Sequence, residues 1–423
     1  MSQALDLKAA KTRLDEARKQ AYAIPLEQLD VAQPALFESD THWPYFERLR
    51  AEAPVHYCAQ STFGPYWSVS SYDLIKEVDT NHEVFSSEPV IVIDDPDEDF
   101  QLPMFIAMDP PKHDIQRKVV SPVVGPRNLA ALEPIIRERV CDILDALPIG
   151  ETFSWVDRVS IELTTQMLAT LFDFPWEDRR KLTRWSDVAT ANEESGLVES
   201  EDQRRAELFE CLEYFNRLWA ERAVAEEPGH DLISLLAHSD STRDLPTRPM
   251  EYLGNLVLLI VGGNDTTRNS LSGGVLALNQ FPEQFEKLRA NPALIPNMVS
   301  EIIRWQTPLA HMRRTVRKDT RLGGETLKAG EKVVMWYVSG NRDASVFDRA
   351  DEFQIDRENA RKHIAFGFGI HRCMGNRVAE MQLRIAWEEI LKRFSSIEVM
   401  GEPTRVRSSF VKGYLDLPVR LTA

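Results

Sequence analysis

The residues best suited to chemistry lie in a glycine-rich turn near the C-terminal end of the sequence. This turn reads Phe366-Gly367-Phe368-Gly369-Ile370-His371-Arg372-Cys373-Met374-Gly375. A run with helical spacing follows from Asn376 to Arg393, so Cys373 stands where a helix is predicted to begin, near the positive end of its dipole. With the charge of Arg372 beside it, this position predicts a lowered pKa for the Cys373 thiol and a persistent thiolate. A thiolate is a strong ligand for iron.

The three other cysteines, Cys58, Cys141 and Cys211, have no comparable setting. A lone cysteine is commonly a small buried hydrophobic residue, and we interpret these three in that way. The four cysteines form no C-x-x-C pair, so the sequence indicates neither a disulfide framework nor a zinc ribbon. Such usage is typical of a reducing cytoplasm.

The glycines around Cys373 would let the backbone approach a flat macrocycle, and amide donors near the sulfur would tune the redox potential of the iron. The pattern F-G-x-G-x-H-x-C-x-G resembles the haem-binding signature of the cytochrome P-450 superfamily. The resemblance implies that Cys373 is the axial thiolate ligand of the haem iron. It also implies that haem b (iron protoporphyrin IX) contacts Phe366, Gly367, His371 and Gly375.

A second candidate site lies in the long apolar run from Met250 to Phe281, which contains Gly262-Gly263-Asn264-Asp265-Thr266-Thr267. Two adjacent glycines cost a helix about 2 kcal/mol, so from the residues alone the helix could end there. The resemblance favours a helix that continues with a local kink, with Gly263 against the haem and with Asp265 and Thr266 over the iron. Cleavage of O2 needs protons, which the Asp265 carboxylate would relay through water while the Thr266 hydroxyl holds the oxygen.

The resemblance also supplies cations for the two haem propionates. His113 and Arg117 follow Asp109-Pro110-Pro111 and are four residues apart, so they share one face of a predicted helix. They match the propionate-binding pair of the superfamily, Arg314 matches a third group, with Arg313 as a close rival, and His371 matches a fourth. Each residue alone would more often be an ordinary surface residue, and only the set indicates a cofactor.

Glu301 and Arg304 are three residues apart in a helical stretch that ends before Thr307-Pro308. Alone, such a pair is most often a solvated surface pair of little consequence. The resemblance implies an E-x-x-R motif that joins Arg357 and stabilises the haem side of the core. We therefore expect a structural ion network of Glu301, Arg304 and Arg357.

The predicted substrate pocket is apolar. Counting back from Thr266 by helical turns places Leu258, Leu259 and Gly262 on the haem-facing side of the long helix. Three residues and one irregular loop would complete the walls: Leu309, Met312, Phe410 and the loop from Val90 to Met108. Any helix core is equally apolar, and the loop could equally be a surface loop with incidental hydrophobic residues.

Two further stretches resemble the bacterial branch of the superfamily that hydroxylates alkanes and fatty acids at the terminal carbon. They are Gly-Gly-Asn-Asp-Thr-Thr-Arg-Asn-Ser, from position 262, and Phe410-Val411-Lys412-Gly413-Tyr414. A terminal methyl C–H bond is stronger than its methylene neighbours, so the pocket must present only the chain end. We expect a narrow neck over the iron, formed by Leu258, Leu309, Met312 and Phe410.

The elements that position these residues are predicted to be mainly helical. Apolar residues recur at helical spacing in three further stretches, Arg127–Leu147, Ile161–Phe172 and Asp202–Ala225. Short strands that could pair into one small sheet are predicted at Val55–Cys58, Tyr66–Val69, Met312–Val316, Lys332–Val338 and Pro418–Leu421. We expect one domain over residues 1–423, a mainly α fold with a small β region, as the resemblance implies; the short stretch Glu226–His230 is too brief for a boundary.

Composition narrows the function classes. The chain of 423 residues is 43% hydrophobic and 27% charged, which is typical of a globular protein with a large core. Its formal net charge of −16 opposes nucleic-acid binding. The polar stretch Met1–Gln20 is unlike a signal peptide, and the longest apolar run, Leu256–Val261, is too short to span a bilayer. We expect a cytoplasmic protein.

The implied function is a monooxygenase that inserts one oxygen atom of O2 into a C–H bond, with electrons from NAD(P)H through a ferredoxin and its reductase. The sequence has no nucleotide fingerprint or iron–sulfur cysteine cluster of its own. Five cations flank the predicted proximal side of the haem and could form a basic dock for an acidic ferredoxin: Lys112, Lys118, Arg127, Arg372 and Arg377. The sequence leaves open a terpenoid or steroid substrate and, in another class, a haem-binding sensor or carrier; a peroxygenase would not need Asp265 and Thr266. It does not determine the chain length of the substrate or the oligomeric state.

Overall fold

The computed structural model describes residues 7–95, 98–191, 196–227 and 229–423. Parts of the predicted N-terminal stretch, of the Val90–Met108 loop and of Glu226–His230 lie outside the described residues. The helices are α1 (Leu7–Ala23), α2 (Pro34–Glu38), α3 (Trp43–Glu52), α4 (Tyr72–Thr80), α5 (Lys112–Val120), α6 (Pro126–Asp145), α7 (Glu162–Phe172), α8 (Arg180–Thr190), α9 (Glu201–Ala223), α10 (Leu232–His238), α11 (Pro249–Gln280), α12 (Pro282–Ala290), α13 (Ile295–Gln306), α14 (Tyr337–Gly340) and α15 (Asn376–Arg393). The mainly α prediction is confirmed, and the five predicted long helices begin and end within two residues of α6, α7, α9, α11 and α15.

The strands form several small sheets. They are β1 (Val55–Cys58), β2 (Tyr66–Val69), β3 (Phe85–Ser86), β4 (Thr152–Ser154), β5 (Met312–Val316), β6 (Thr320–Leu322), β7 (Glu325–Leu327), β8 (Lys332–Met335), β9 (Ser396–Val399), β10 (Thr404–Arg405), β11 (Tyr414–Asp416) and β12 (Pro418–Thr422). The largest sheet has the order β1-β2-β8-β5-β3, with β2 and β8 parallel and the other neighbours antiparallel.

Two details of the strand prediction are wrong. Strand β8 ends at Met335, because the chain turns at Trp336 into the single-turn helix α14 instead of extending to Val338. Strand β12 pairs with β4 and β9 in a separate sheet, so the predicted strands do not form one sheet. The residue pattern identifies a strand, whereas the partners of β12 are β4, which lies more than 200 residues earlier, and β9.

Helix α11 runs through the core as one helix of 32 residues, across Gly262 and Gly263. Its first half packs through Leu253 and Leu256 into one apolar cluster, and its second half packs through Val275 into another. This burial offsets the low helix propensity of the glycine pair. The continued helix is confirmed, and the local kink stays a prediction.

Glycine 254 on α11 fixes the position of the irregular loop. A Cβ atom at Gly254 would lie 2.2 Å from the carbonyl oxygen of Pro103, so only glycine allows this approach. The amide of Asn255 adds a second contact, because its Oδ1 accepts a hydrogen bond from the Phe105 N–H at 2.9 Å. The loop is thereby held against the helix. None of the described helices is long and apolar enough to cross a membrane.

Candidate active site

A cavity of approximately 330 Å³ lies beside the middle of α11. The structure places all the predicted pocket residues on its wall: Leu258, Leu259, Gly262, Leu309, Met312 and Phe410. The loop contributes the segment from Pro89 to Val92 and the segment from Met104 to Ala107. Among the described residues that line the cavity, Arg117 and Arg314 carry the charged side chains, and most of the others are apolar.

The cysteine turn closes one end of this cavity. Gly367 and Gly369 adopt φ angles of +67° and +68°, and a Cβ atom at Gly369 would lie 2.5 Å from the Asp79 carbonyl oxygen. The Cys373 N–H donates to the Phe366 carbonyl at 2.7 Å. Cys373 lines the cavity, as do Phe366, Gly367, His371 and Gly375.

The predicted fall in the Cys373 pKa is wrong for the free thiol. Burial raises the pKa of Cys373, although the Gly375 N–H, Arg117, Arg372 and the Asn376 N–H each lower it. The sequence shows the cations and the nearby helix end but not the protein atoms that surround the sulfur, and desolvation by them is the largest effect, although the residue is exposed to the cavity that it lines. Helix α15 begins at Asn376, three residues after Cys373, so the sulfur lies before the helix rather than at its first residue.

The four predicted propionate-binding groups lie close together: Arg117, Arg314 and His371 line the cavity, and His113 packs against His371. The rings of His113 and His371 lie 4.2 Å apart, both are buried, and His113 Nε2 and both ring nitrogens of His371 have no hydrogen-bond partner among the described residues. Burial lowers the pKa of His113, and that of His371 to about 2. Arg117 and Arg314 line the cavity. The neutral His371 ring can donate one N–H beside two guanidinium groups, and such donors are what a propionate requires; His113 Nδ1 already donates to Asp114 Oδ1 at 2.7 Å, so its Nε2 donates only when the ring is protonated.

The ambiguity between Arg313 and Arg314 is resolved by geometry. Arg313 contacts Asp95 Oδ1 at 2.9 Å and the Asp94 carbonyl at 2.8 Å, and it does not line the cavity. Arg314 lines the cavity and donates to Asp79 Oδ1 at 2.8 Å. Arg314 is therefore the residue placed to hold an anionic group there.

Asp265 and Thr266 lie at different depths. Thr266 lines the cavity and its hydroxyl donates to the Gly262 carbonyl at 3.1 Å. Asp265 is fully buried behind the wall, 2.6 Å from Arg268 and 3.2 Å from Asn264 Nδ2. Burial raises the pKa of Asp265 to about 6, although the charge of Arg268 lowers it. The carboxyl can thus exchange a proton near neutral pH, one residue from the hydroxyl that faces the cavity.

The comparisons with known proteins agree with this geometry. The cytochrome P-450 family matches residues 160–412. The linalool 8-monooxygenase of Pseudomonas putida is 34% identical over 94% of this chain and 99% of its own length.

The chain belongs to the cytochrome P-450 family.

Two other relatives are similar over most of their length. The methyl-branched lipid omega-hydroxylase of Mycobacterium bovis is 30% identical over 88% of this chain and 90% of its own. The structure of a cytochrome P-450-153 from Novosphingobium aromaticivorans is 49% identical, with a TM-score of 0.87, and covers 93% of this chain and 99% of its own. This P-450 is therefore a monooxygenase, and the family uses haem, O2, a hydrophobic substrate and electrons from redox partners.

Glu301, Arg304 and Arg357 of this P-450 form one buried network. The two oxygens of Glu301 accept from Arg304 Nη2 and Nε at 2.7 Å each, and Arg357 Nε lies 3.1 Å from both oxygens. Arg304 also donates to the carbonyls of Asn341 and Ala350 at 2.7 and 2.9 Å. The pair is fully buried, unlike the solvated surface pair that the sequence alone would favour.

One residue of the P-450 site is absent from the sequence prediction. Asp79 on α4 is 2% exposed and accepts from Arg314, from the Tyr337 hydroxyl at 2.8 Å and from the Phe368 N–H at 2.6 Å. It therefore joins a predicted propionate-binding group to the cysteine turn. No motif surrounds Asp79, and only a long-range contact reveals it.

The five predicted docking cations are all exposed: Lys112, Lys118, Arg127, Arg372 and Arg377. None of them forms an ion pair with another described residue. Ile115, which lies between two of them on α5, is 48% exposed. The Arg372 carbonyl accepts a hydrogen bond from Arg117, which connects α5 to the cysteine turn.

Proposed function

We propose that this P-450 hydroxylates the terminal carbon of a chain-like apolar substrate, a medium-chain alkane or fatty acid. The observation that carries this proposal is the cavity lining. Leu258, Leu309, Met312 and Phe410 share one cavity with Thr266 and Cys373. Apolar walls that meet beside the oxygen-handling residues favour a hydrocarbon chain that points its end at the iron.

The cofactor of the proposal is haem b, with Cys373 as the iron ligand. When bound, it supplies the activation of O2 with two electrons. Phe366, Gly367, Gly263 and Gly375 would contact its faces. His113, Arg117, Arg314 and His371 would hold its propionates, since Arg117, Arg314 and His371 line the cavity and His113 packs against His371.

Asp265 and Thr266 would deliver protons during the reaction. Thr266 presents its hydroxyl to the cavity, and Asp265 exchanges protons from a buried position where its pKa is about 6. Arg268 holds the carboxylate at 2.6 Å, so the acid does not turn freely into the cavity. This arrangement restricts proton entry to the Asp265 side of α11.

The terminal position follows from the proposed neck. Leu309→Ala and Phe410→Ala would widen the cavity where the chain end must pass, so both should lower the ratio of terminal to subterminal alcohol. An unchanged ratio in both variants would contradict the neck. The methyl-branched lipid omega-hydroxylase among the relatives supports terminal attack.

A terpenoid or steroid substrate is the second candidate, which the similarity to a linalool 8-monooxygenase favours. The two candidates differ in shape, because a linear chain needs a narrow channel and a branched or fused-ring molecule needs a wide one. Competition between dodecane, dodecanoic acid, linalool and a steroid for the same cavity separates them.

The proposed electron donors are a ferredoxin and an NAD(P)H-dependent reductase. The exposed cations around α5 and the cysteine turn would attract an acidic ferredoxin. The double variant Lys118→Glu with Arg377→Glu should raise the KM for ferredoxin and weaken the dependence of that KM on salt. Arg243→Glu, which changes an exposed cation elsewhere, should alter neither. Unaffected turnover in the double variant would contradict this docking face.

We also propose one haem domain over residues 1–423 in the cytoplasm. The described cysteines are all free, which is usual in a reducing compartment. A single cooperative unfolding transition of the holoprotein, followed by tryptophan fluorescence and haem absorbance together, would support the single domain.

The experiment that tests the function is a difference absorption spectrum of the reduced protein under carbon monoxide. A band at about 450 nm is expected for a thiolate-ligated haem, and a band at about 420 nm in intact protein, or no haem, would overturn the assignment of Cys373. Titration with alkanes and fatty acids should then shift the iron from low to high spin. A shift with terpenoids or steroids alone would favour the second candidate.

A further inference from the structure

A buried histidine connects two walls of the cavity. His311 is 0% exposed and lies in the segment between α13 and β5. Its Nε2 lies 3.2 Å from the Ile93 backbone N–H, and its Nδ1 lies 2.9 Å from the Ser409 carbonyl oxygen. The imidazole thus contacts the backbone of two segments that are more than 300 residues apart.

The partners of the ring determine its tautomer. Because Ile93 offers an N–H, Nε2 must accept, and because Ser409 offers a carbonyl oxygen, Nδ1 must carry the proton and donate. The neutral ring satisfies both contacts, whereas a protonated ring would lose the first. Burial lowers the pKa of His311 to about 4, which keeps the neutral form at neutral pH.

Backbone hydrogen bonds extend the same connection. On one side the Ala310 N–H donates to the Phe410 carbonyl at 2.8 Å, and on the other the Arg313 N–H donates to the Ile91 carbonyl at 2.7 Å. Ile91 and Phe410 both line the cavity. The residues around His311 therefore form the middle strip of a three-segment wall.

The ring of His311 also packs against an aromatic residue of the cavity. Its centroid lies 5.3 Å from that of Phe410 and 4.8 Å from that of Trp336, which is fully buried. Trp336 is thus a fixed support behind the histidine. A change in the position of the His311 ring would move Phe410 and the backbone of Ile93 together.

We propose that His311 determines the regioselectivity of this P-450 by holding the Ile91–Ile93 and Ser409–Phe410 segments at a fixed separation. The inference rests on the proposed function, since the selectivity is that for the end of an apolar chain. His311 does not line the cavity, and it acts as a positioning residue through Ile93 and Phe410.

The first test uses the wild-type holoprotein without substrate turnover. Hydrogen–deuterium exchange should show the Ile93 amide to be protected, since its partner is a side chain inside the protein. Exchange at Ile93 as fast as that of an unstructured peptide would overturn the proposal.

The second test replaces the ring. His311→Phe keeps the packing against Trp336 and Phe410 and removes both hydrogen bonds, whereas His311→Gln can still donate and accept. We expect about tenfold faster exchange at Ile93 in His311→Phe, a weaker spin-state response to dodecane and a lower ratio of terminal to subterminal dodecanol. His311→Gln should partly restore the slow exchange, the spin-state response and the product ratio. In both variants kcat should change less than the product ratio.

The control is His42→Phe. His42 is another fully buried histidine that packs against aromatic residues, but it lies outside the three-segment wall around His311. This variant should keep the wild-type exchange and product ratio. If His311→Phe binds haem and also keeps both, the proposal is wrong. If the wild-type enzyme yields no terminal alcohol, the proposed function fails, and exchange at Ile93 still decides whether His311 holds the wall. If His311→Phe does not fold, the same measurements on His311→Gln are compared with those on the wild type.

Discussion

Arg268 lies 2.6 Å from the carboxylate of Asp265, three residues earlier on the same helix. The same guanidinium group reaches Asp187 Oδ1 on α8 at 2.9 Å. One cation therefore holds the proposed proton carrier and connects it to a second helix. Since Asp265 is fully buried, desolvation raises its pKa most, and Arg268 is the largest of the groups that lower it, while the charge of Asp187 raises it further.

Asp265→Asn should slow product formation by roughly 10²-fold or more, because an amide of the same size cannot release a proton. The carbon monoxide spectrum and the substrate-induced spin shift should stay as in the wild type. The measurement is product formed per electron consumed with a ferredoxin and its reductase. Asp187→Asn, which keeps Asp265, should have a smaller effect, and equal effects would place the proton path elsewhere.

The raised pKa of Asp265 also predicts how stability depends on pH. The folded protein binds this proton more tightly than the unfolded chain does, so the free energy of unfolding falls as pH rises from about 4 to about 6. Asp265→Asn does not titrate. Relative to this variant, the wild type should lose about 1 to 3 kcal/mol between the two pH values, as measured by denaturant unfolding. A constant difference would show that the pKa is not raised.

Two adjacent glycines of α11 should respond in opposite ways to alanine. A Cβ atom at Gly262 meets open space in the cavity, whereas a Cβ atom at Gly263 would lie 2.6 Å from Leu168 Cδ2. Gly262→Ala should stabilise the fold by about 0.5–1 kcal/mol and change the product ratio. Gly263→Ala should destabilise it by about 1–3 kcal/mol, because Leu168 is buried. Thermal unfolding of both variants checks the contrast, and equal shifts would contradict it.

The buried network around Glu301 should be far more sensitive than a surface pair. Glu301→Gln leaves the guanidinium groups of Arg304 and Arg357 buried without their carboxylate, and we expect a loss of about 3–5 kcal/mol in the free energy of unfolding. The matched control is Glu398→Gln, whose partner Arg420 is 42% exposed, with an expected loss below about 1 kcal/mol. Similar losses in the two variants would argue against a structural role for the network.

Asp79 should contribute to haem retention. Asp79→Asn weakens the support of Arg314 and of the Phe368 N–H, so haem should transfer to apomyoglobin about tenfold faster than from the wild type. Asp73→Asn changes an exposed carboxyl on the same helix and should have no effect. An unchanged transfer rate in Asp79→Asn would limit its role to packing.

The spacing of residues in the sequence predicts those elements of this P-450 that depend on contacts between neighbouring residues. The cysteine turn, the long helices and the strands β1, β2 and β5 follow from residues close together in sequence. The direction of the Cys373 pKa shift could not be predicted, because it depends on desolvation by residues that are distant in sequence. The partners of β12 could not be predicted either, since one of them, β4, lies far away in the sequence.

Long-range contacts account for the remaining site residues. Asp79 and His311 carry no motif, and their roles depend on backbone groups far away in the sequence, such as Phe368 and Ser409. Arg313 and Arg314 are indistinguishable by type and differ only in which face of strand β5 presents them. Sequence reasoning therefore identified the chemistry and the general site, whereas the supporting contacts required the fold.

The contact between the Phe368 N–H and Asp79 joins positions 289 residues apart. During synthesis on the ribosome, helix α4 emerges long before the cysteine turn, so this contact can form only after most of the chain has been synthesised. The haem pocket is therefore completed late, and contacts of such large sequence separation make folding slow. We expect the nascent chain to acquire its cofactor only after translation has passed the turn, so the supply of haem at that moment would govern the yield of active enzyme.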